Sequence, residues 1–372
     1  QISGRRFAYL ATVTDNGSTS YNFGKNMDQN YGTTAINEYA VDVSWEVADK
    51  TNIGLDMRLL NNKLSLQVDL FKESREGIYL RRKSIPSYFG MINNPYGNIG
   101  KVENKGIEVA LNYANTWGDW SLSVMGNYSF NRNKVLEDDS TAAYPWQSTI
   151  GNKVGQRFGL VALGLFESKE EIAASPVQTG DTRPGDIKYK DINGDGLINE
   201  YDEVPIGWGN VPEIIYGVGF SVGWKNLSLT AMFQGAAHVD AMLSGEGVLP
   251  FAQGSGRGNL LSNITDRWTE QNPRQDAFYP RLSIGTINMN YEKSTWWLKN
   301  TSYLRLKNVE LSYTLPDRWM KHIRLENARI FIQGVNLLTF SPFDIWDVEL
   351  GDGRGAAYPN ISSASLGLSF NF

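Results

Sequence analysis

The sequence predicts an all-β fold, specifically a transmembrane antiparallel β-barrel or a piece of one. Three observations carry that expectation. Apolar and small or polar residues alternate through many segments, as in Ser365-Leu366-Gly367-Leu368-Ser369-Phe370-Asn371-Phe372, where every even-numbered position is large and apolar. A period of two is the strand period, so one face of such a segment is apolar and the other is not. Aromatics reach 12% of the 372 residues, with 11 Trp, 18 Tyr and 37 Gly, a composition suited to many short-turned strands. Finally, tight turns alternate with long polar connections, the asymmetry of an outer-membrane barrel with short periplasmic turns and long outer loops.

Strands are expected near residues 4–14, 36–48, 50–61 and 63–80, the last from the alternating run Leu64, Leu66, Val68, Leu70 after the tight turn Asn61-Asn62-Lys63. Ile107, Val109, Leu111 and Tyr113 set one face of a strand over 103–116. Trp120, Leu122, Val124 and Tyr128 set one face of its hairpin partner over 119–134. A further strand is expected over 153–167. Tyr216, Val218, Phe220, Val222 and Trp224, then Leu227, Leu229, Ala231 and Phe233, define a hairpin over 213–225 and 226–239 with its turn at Lys225-Asn226. Runs at 296–315, 323–339 and 361–372 complete a count of roughly 11 or 12 strands. The connections over 81–102, 135–152, 168–212 and 240–295 are rich in Gly, Pro, Asn and charge. Ser168 followed by Lys169-Glu170-Glu171-Ile172 has a capping residue and acids in its first turn, which predicts one short helix. Trp45, Trp117, Trp120, Trp224, Tyr313 and Trp319 fall near strand ends, where an aromatic girdle would sit, although core aromatics of a β-sandwich would read the same way.

Composition excludes several classes. No run approaches the roughly 18–20 apolar residues of a membrane helix, and mean hydropathy is −0.35. There is no cysteine, so neither a disulfide framework nor a thiolate metal site is available. A net charge of −5 argues against nucleic acid as a partner. Gln1-Ile2-Ser3-Gly4-Arg5-Arg6 lacks an apolar leader core, so the sequence is expected to start in mid-structure.

The most specific local motif is Asp191-Ile192-Asn193-Gly194-Asp195-Gly196-Leu197-Ile198-Asn199-Glu200-Tyr201-Asp202, which fits the D-x-[DN]-x-[DN]-G calcium loop. Side-chain oxygens of Asp191, Asn193 and Asp195 would converge on an ion. The Leu197 carbonyl, Asn199 through water and Asp202 would complete the shell, with Ile198 packing inward. The shorter Asp202 in place of Glu weakens Ca2+ and lets Mg2+ compete. The alternative is a polar turn without an ion. No amphipathic helices flank the motif, so a structural brace is expected rather than a sensor. His238 and His322 have no metal-ligand spacing, and Gly254-Ser255-Gly256-Arg257-Gly258 does not join a strand to a helix as a phosphate loop would. Trp146, Trp208, Trp296 and Trp297 lie in or beside long loops and are candidates for stacking on sugar rings, with packing on other loops or on a partner as the alternative.

Several blocks together resemble the SusC-like TonB-dependent outer-membrane transporters: Gly100-Lys101-Val102-Glu103-Asn104-Lys105-Gly106, Gly185-Asp186-Ile187-Lys188-Tyr189-Lys190-Asp191, Tyr279-Pro280-Arg281-Leu282, Tyr303-Leu304-Arg305-Leu306-Lys307-Asn308-Val309 and Gly334-Val335-Asn336-Leu337-Leu338. They occur in the family's order from about Trp45 onward. The resemblance implies that residues 1–372 are the C-terminal half of a plugged barrel of about 22 strands, the plug domain lying outside this sequence. It also implies an N-terminal half that completes the wall, a SusD-like surface lipoprotein, TonB, and an oligosaccharide or peptide cargo. The chain would then be a multi-pass protein of the outer membrane, in contact with lipid, and not an enzyme. Leu366, Leu368, Phe370 and Phe372 would serve as the barrel-assembly signal. Two other readings are a passive porin or surface adhesin, and a secreted glycan-active enzyme with a calcium-braced β-fold, which would require paired buried acids.

Overall fold

The computed structural model describes residues 9–25, 29–39, 41–89, 93–245, 247–251, 262–285, 287–316, 318–320, 326–353 and 355–371. The elements run in chain order as β1 (Thr12–Phe23), β2 (Gln29–Glu38), β3 (Val47–Leu59), β4 (Leu64–Arg81), β5 (Tyr96–Trp117) and β6 (Trp120–Glu137). Six short strands follow, β7 (Arg157–Gly159), β8 (Ala162–Leu165), β9 (Val177–Gln178), β10 (Ile187–Tyr189), β11 (Leu197–Ile198) and β12 (Val204–Ile206), with helix α1 (Lys169–Ala173) between β8 and β9. The rest are β13 (Ile214–Trp224), β14 (Leu227–Ala237), β15 (Asp240–Met242), β16 (Leu298–Asn300), β17 (Tyr303–Thr314), β18 (Asn327–Phe340) and β19 (Ser363–Asn371).

Nine strands form one sheet in the order β19-β18-β17-β14-β13-β6-β5-β4-β3, so each neighbour in space is the next long strand in sequence. Register preserves the alternation across strands. Tyr216, Val218 and Phe220 of β13 stand opposite Tyr128, Gly126 and Val124 of β6 and opposite Gly235, Phe233 and Ala231 of β14. Leu229 meets Leu311, Leu311 meets Ile332 and Ile332 meets Leu366, so apolar positions line up strand by strand on one face. The other face is mostly small or polar, with Ser228, Thr230, Ser312 and Gln333, and includes Met125, Met232 and Phe331. A one-residue bulge between Leu306 and Asn308 lets β17 keep both β14 and β18 in register. The apolar face is not buried: Leu366 is 72% exposed, Leu368 60% and Ile332 58%. A soluble fold does not leave a surface of that kind uncovered.

The packed core lies elsewhere. Leu160, Ile187, Tyr189, Tyr279, Trp297 and Phe343 belong to one buried cluster built from the segments that connect the long strands. The chain groups into two compact units, one comprising Gln1–Thr51, Phe71–Lys105 and Arg132–Val154, the other Asn52–Leu70, Gly106–Asn131 and Gly155–Phe372. The core cluster belongs entirely to the second. In the first, β1 and β2 pair as a separate antiparallel hairpin, and the Asn98 side chain donates to the Ser44 and Gly77 carbonyls while accepting from the Ser44 amide.

Nine of the expected strands correspond to the nine of the sheet. The strand expected over 153–167 is absent from it. That segment forms β7 and β8 of the loop assembly, because Leu160, Leu165 and Phe166 are all buried rather than alternating and Gly164 at φ +126° breaks the extended run. The expected strand over 36–48 is also misplaced, since β2 ends at Glu38 and β3 begins at Val47. The strand expected near 4–14 begins only at Thr12, and residues 1–8 lie outside the described residues. The short helix forms as expected, with the Ser168 hydroxyl accepting from the Glu171 amide at 3.1 Å.

Candidate functional site

Two long connections, from Gly155 to Glu213 and from His238 to Thr301, fold together with the segment after β18. β12 pairs with β7 and β10 with β8, and β15 pairs with β16. Buried charge fixes the arrangement. Asp186, 1% exposed, accepts from Arg281 Nε and Nη2 at 2.9 Å each, from Asn290 Nδ2 at 2.8 Å, from Asn288 Nδ2 at 3.1 Å and from the Arg183 amide at 2.9 Å. Asn290 Oδ1 in turn accepts from the Ile187 amide. A carboxylate with that many donors has its desolvation cost offset. Gly185 is required beside it: at φ +86° a Cβ would lie 2.1 Å from the Trp268 ring.

Two further arginines extend the pattern. Arg157 donates to the Asp240 carboxylate and to Asp352. Arg305, buried on the polar face of β17, donates to both Asp347 oxygens at 3.0 Å and to Glu349. The segment after β18 is thereby clamped at Asp347, Glu349 and Asp352. None of these partners is near in sequence. What the sequence does show, the Gly185-Asp186 and Pro280-Arg281 blocks, marks the place without the pairing.

Two concavities adjoin polar groups in the second unit. A groove of about 350 Å³ on the polar sheet face is lined by Gln67, Asp69, Glu108, Asn127 and Ser129. A cleft of about 320 Å³ in the loop assembly is lined by Leu160, Ile198, Met289, Glu200, Glu203 and Glu292. Burial pushes the Glu203 carboxyl up against the pull of Lys293, and Glu292 and Glu200 add to the rise.

The predicted site residues separate by environment. Trp208 is 40% exposed and stacks on His238 at 3.9 Å. Trp146 is half-buried and stacks on Tyr144 at 4.6 Å. Trp296 packs against the core and donates from its indole nitrogen to the Phe278 carbonyl at 3.1 Å. Trp297 is corrected: at 1% exposure, donating to the Asn290 carbonyl at 2.7 Å, it is a core residue and offers no surface to a ligand. Sequence position beside a loop could not separate it from its neighbour.

In the Asp191–Asp202 loop the oxygens cap backbone amides. Asp191 accepts from Gly194 at 2.7 Å and Gly196 at 2.9 Å, Asp195 from Leu197, Asn193 from Asp195 and Asn199 from Tyr201. Asp202, fully buried, accepts from Ile192 at 2.8 Å and Asn199 at 2.9 Å. Ile198 packs inward, whereas Leu197 is half-exposed beside Val177 of β9. Asp191 and Asn193 are half-buried and Asp195 is exposed, while Asp202 is turned to the loop's own amides. Among the described residues no cluster of three or more His, Cys, Asp or Glu has metal-binding geometry.

Leu366, Leu368 and Phe370 share the apolar face of β19, and Phe372 lies outside the described residues. At the tight-turn end of the same face, Trp120 and Trp224 stand opposite each other with rings 6.0 Å apart, and Leu227 brings Tyr313 alongside.

The family model described as TonB dependent receptor-like, beta-barrel matches residues 13–337. The chain is 27% identical to TonB-dependent receptor P3 of Formosa agariphila over 93% of its length and 36% of that protein's. It is 22% identical to TonB-dependent receptor SusC of Bacteroides thetaiotaomicron, over 100% of this chain and 36% of that one. Among solved structures, the RagAB peptide importer in its open-open state superposes with a TM-score of 0.71 at 21% identity, covering 99% of this chain and 38% of that one. The chain thus spans little more than a third of these relatives, and its open nine-stranded sheet is a partial barrel. With most of its length matched, the chain belongs to the TonB-dependent receptor-like β-barrel family.

Proposed function

We propose that this chain is the C-terminal part of the wall, with its outer loops, of a TonB-coupled importer in the outer membrane. The observation that carries the reading is the nine-stranded antiparallel sheet whose one face is apolar and exposed while the other is polar. In lipid the apolar face is solvated, and the polar face lines a watery lumen. The strands at the two ends, β3 and β19, have one sheet neighbour each among the described residues. Unpaired edges in hydrocarbon cost several kcal/mol or so per group, which calls for an N-terminal half carrying the plug and the remaining strands.

Cargo is an oligosaccharide or a peptide, delivered from a SusD-like lipoprotein at the loop assembly and released inward when TonB displaces the plug. The RagAB peptide importer and SusC, to which the chain is similar, are both compatible with that division of labour. Trp208 and Trp146 are the aromatic surfaces offered to cargo or lid, and no catalytic residues are assigned. The Asp191–Asp202 loop is a self-capped brace that takes Ca2+ or Mg2+ on side-chain oxygens of Asp191, Asn193 and Asp195. The test is uptake by cells of labelled oligosaccharide and peptide pools through the full-length protein. Uptake that needs both TonB and the chain's outer loops is expected. Uptake that survives loss of TonB would overturn the reading in favour of a passive pore.

A further inference from the structure

The connection between β2 and β3 leaves part of its main chain without partners. Among the described residues, the amides and carbonyls of Val41, Asp42 and Val43 make no hydrogen bond. One residue on, Ser44 is tied to β5: its amide donates to Asn98 Oδ1 at 3.0 Å, and its carbonyl accepts from Asn98 Nδ2 at 2.9 Å. This connection and the start of β5 flank a groove of about 580 Å³, lined by Tyr39, Asp42, Ser44, Arg82, Tyr96 and Asn98. All of these residues belong to the first compact unit. The volume falls in the range of roughly 300–1,000 Å³ that small-ligand sites occupy.

Two charges line this groove without a counter-ion. The Arg82 amide donates to the Pro95 carbonyl at 2.9 Å, which carries the β4–β5 pairing one residue past the end of β4. Its side chain lies across Gly97, where a Cβ would stand 3.4 Å from Nε. Among the described residues the Arg82 guanidinium has no hydrogen bond or ion pair. Asp139 is within its electrostatic reach, but the Asp139 oxygens accept from the Lys83 and Ser84 amides and the Ser84 hydroxyl. Asp42, exposed on the other flank, also has no partner among the described residues. Arg75 of the same unit shows the contrast, donating to both Glu46 and Glu73.

Each of these features selects a ligand. Consecutive unpaired main-chain groups are complementary to another polypeptide, the pairing by which a peptide adds along an exposed segment. A free guanidinium forks onto a carboxylate, and a free carboxylate takes an ammonium. A purely anionic ligand would gain at Arg82 and lose at Asp42, so the pair favours a ligand that carries both charges. The Tyr96 ring stacks on Tyr79 at 5.0 Å and carries the Arg81 guanidinium at 5.3 Å, so it is no free platform for a sugar. Resting on the importer reading above, we infer that this groove binds a short zwitterionic peptide. The terminal carboxylate sits on Arg82, the terminal ammonium on Asp42, and the main chain runs along residues 41–43.

The experiment titrates the full-length protein, purified in detergent, with di-, tri- and tetraalanine by calorimetry, and repeats this with their C-terminal amides and their N-acetyl forms. The wild type is expected to bind the free peptides and to lose affinity on the order of tenfold on amidation and again on acetylation. The amidation penalty should vanish in Arg82→Gln and stay in Arg82→Lys, and the acetylation penalty should vanish in Asp42→Asn. Both side chains are exposed and hold no contact that the fold uses, so these variants should fold as the wild type does. A wild type that binds none of the free peptides, penalties that persist unchanged in the variants, or an oligouronate that binds through Arg82 as tightly as the free peptides would each overturn the inference. Uptake by cells separates the two claims. If labelled cargo still enters only with TonB while the charge test fails, the groove alone is refuted; if uptake does not need TonB, the importer reading itself fails.

Discussion

Asp186 joins two connections that lie about a hundred positions apart in the chain, through Arg281, Asn288 and Asn290. Removing one partner strands a buried charge, so Asp186→Ala and Arg281→Ala should each destabilise the loop assembly by about 3–5 kcal/mol. The double variant should cost less than the sum, because the two changes remove one interaction. Thermal unfolding of the full-length protein with protease cutting in 168–212 checks both. The Asp191–Asp202 loop gives a second test. Asp191→Ala with Asp195→Ala should abolish calorimetric binding of Ca2+, and a wild type that binds neither Ca2+ nor Mg2+ would leave only the hydrogen-bonded turn. The loop's local chemistry was legible because its oxygens and glycines fall within twelve consecutive positions. The Asp186 cluster was not, since nothing local says which distant arginine or amide a carboxylate will meet.

Among elements, the strands of the sheet were legible wherever one face was apolar throughout. Leu64–Leu70 and Trp120–Tyr128 alternate, and alternation fixes both strand and face. It failed at 153–167, where an apolar run is buried on all sides in the loop core, and a run without period does not reveal its partner. Connections have their own ties. In the first unit, Asp139 accepts from the Ser84 amide and hydroxyl and from the Lys83 amide at 2.8 Å. The Ser84 amide is the largest cause holding the Asp139 carboxyl below its ordinary 3.8, with burial opposing. A depressed carboxyl contributes its stabilisation above the unfolded value, and the contribution disappears as pH falls through the folded value. Protection of the Lys83 and Ser84 amides, corrected for intrinsic exchange, should therefore hold down to pH 3.8 and fall below it, while Asp139→Asn should show no such step.

For the molecule as a whole, the family's barrel explains why the buried core sits in the loops and not behind the sheet. Lipid takes the place of a second apolar layer, so the strands need only one face that repels water. The resemblance blocks and the alternation together made the barrel readable. Its closure was not, because the strands that pair with the edges of β3 and β19 are not among those described. The absence of native cysteine allows a direct test of which face meets lipid. Single cysteines placed along β14 at Ser228, Leu229, Thr230, Ala231 and Met232, spin-labelled in the reconstituted full-length protein, report accessibility to oxygen and to a water-soluble nickel chelate. The account predicts oxygen maxima at Leu229 and Ala231 and nickel maxima at Ser228, Thr230 and Met232. Low accessibility to both reagents at Leu229 and Ala231 would place them in a dry protein core and contradict it.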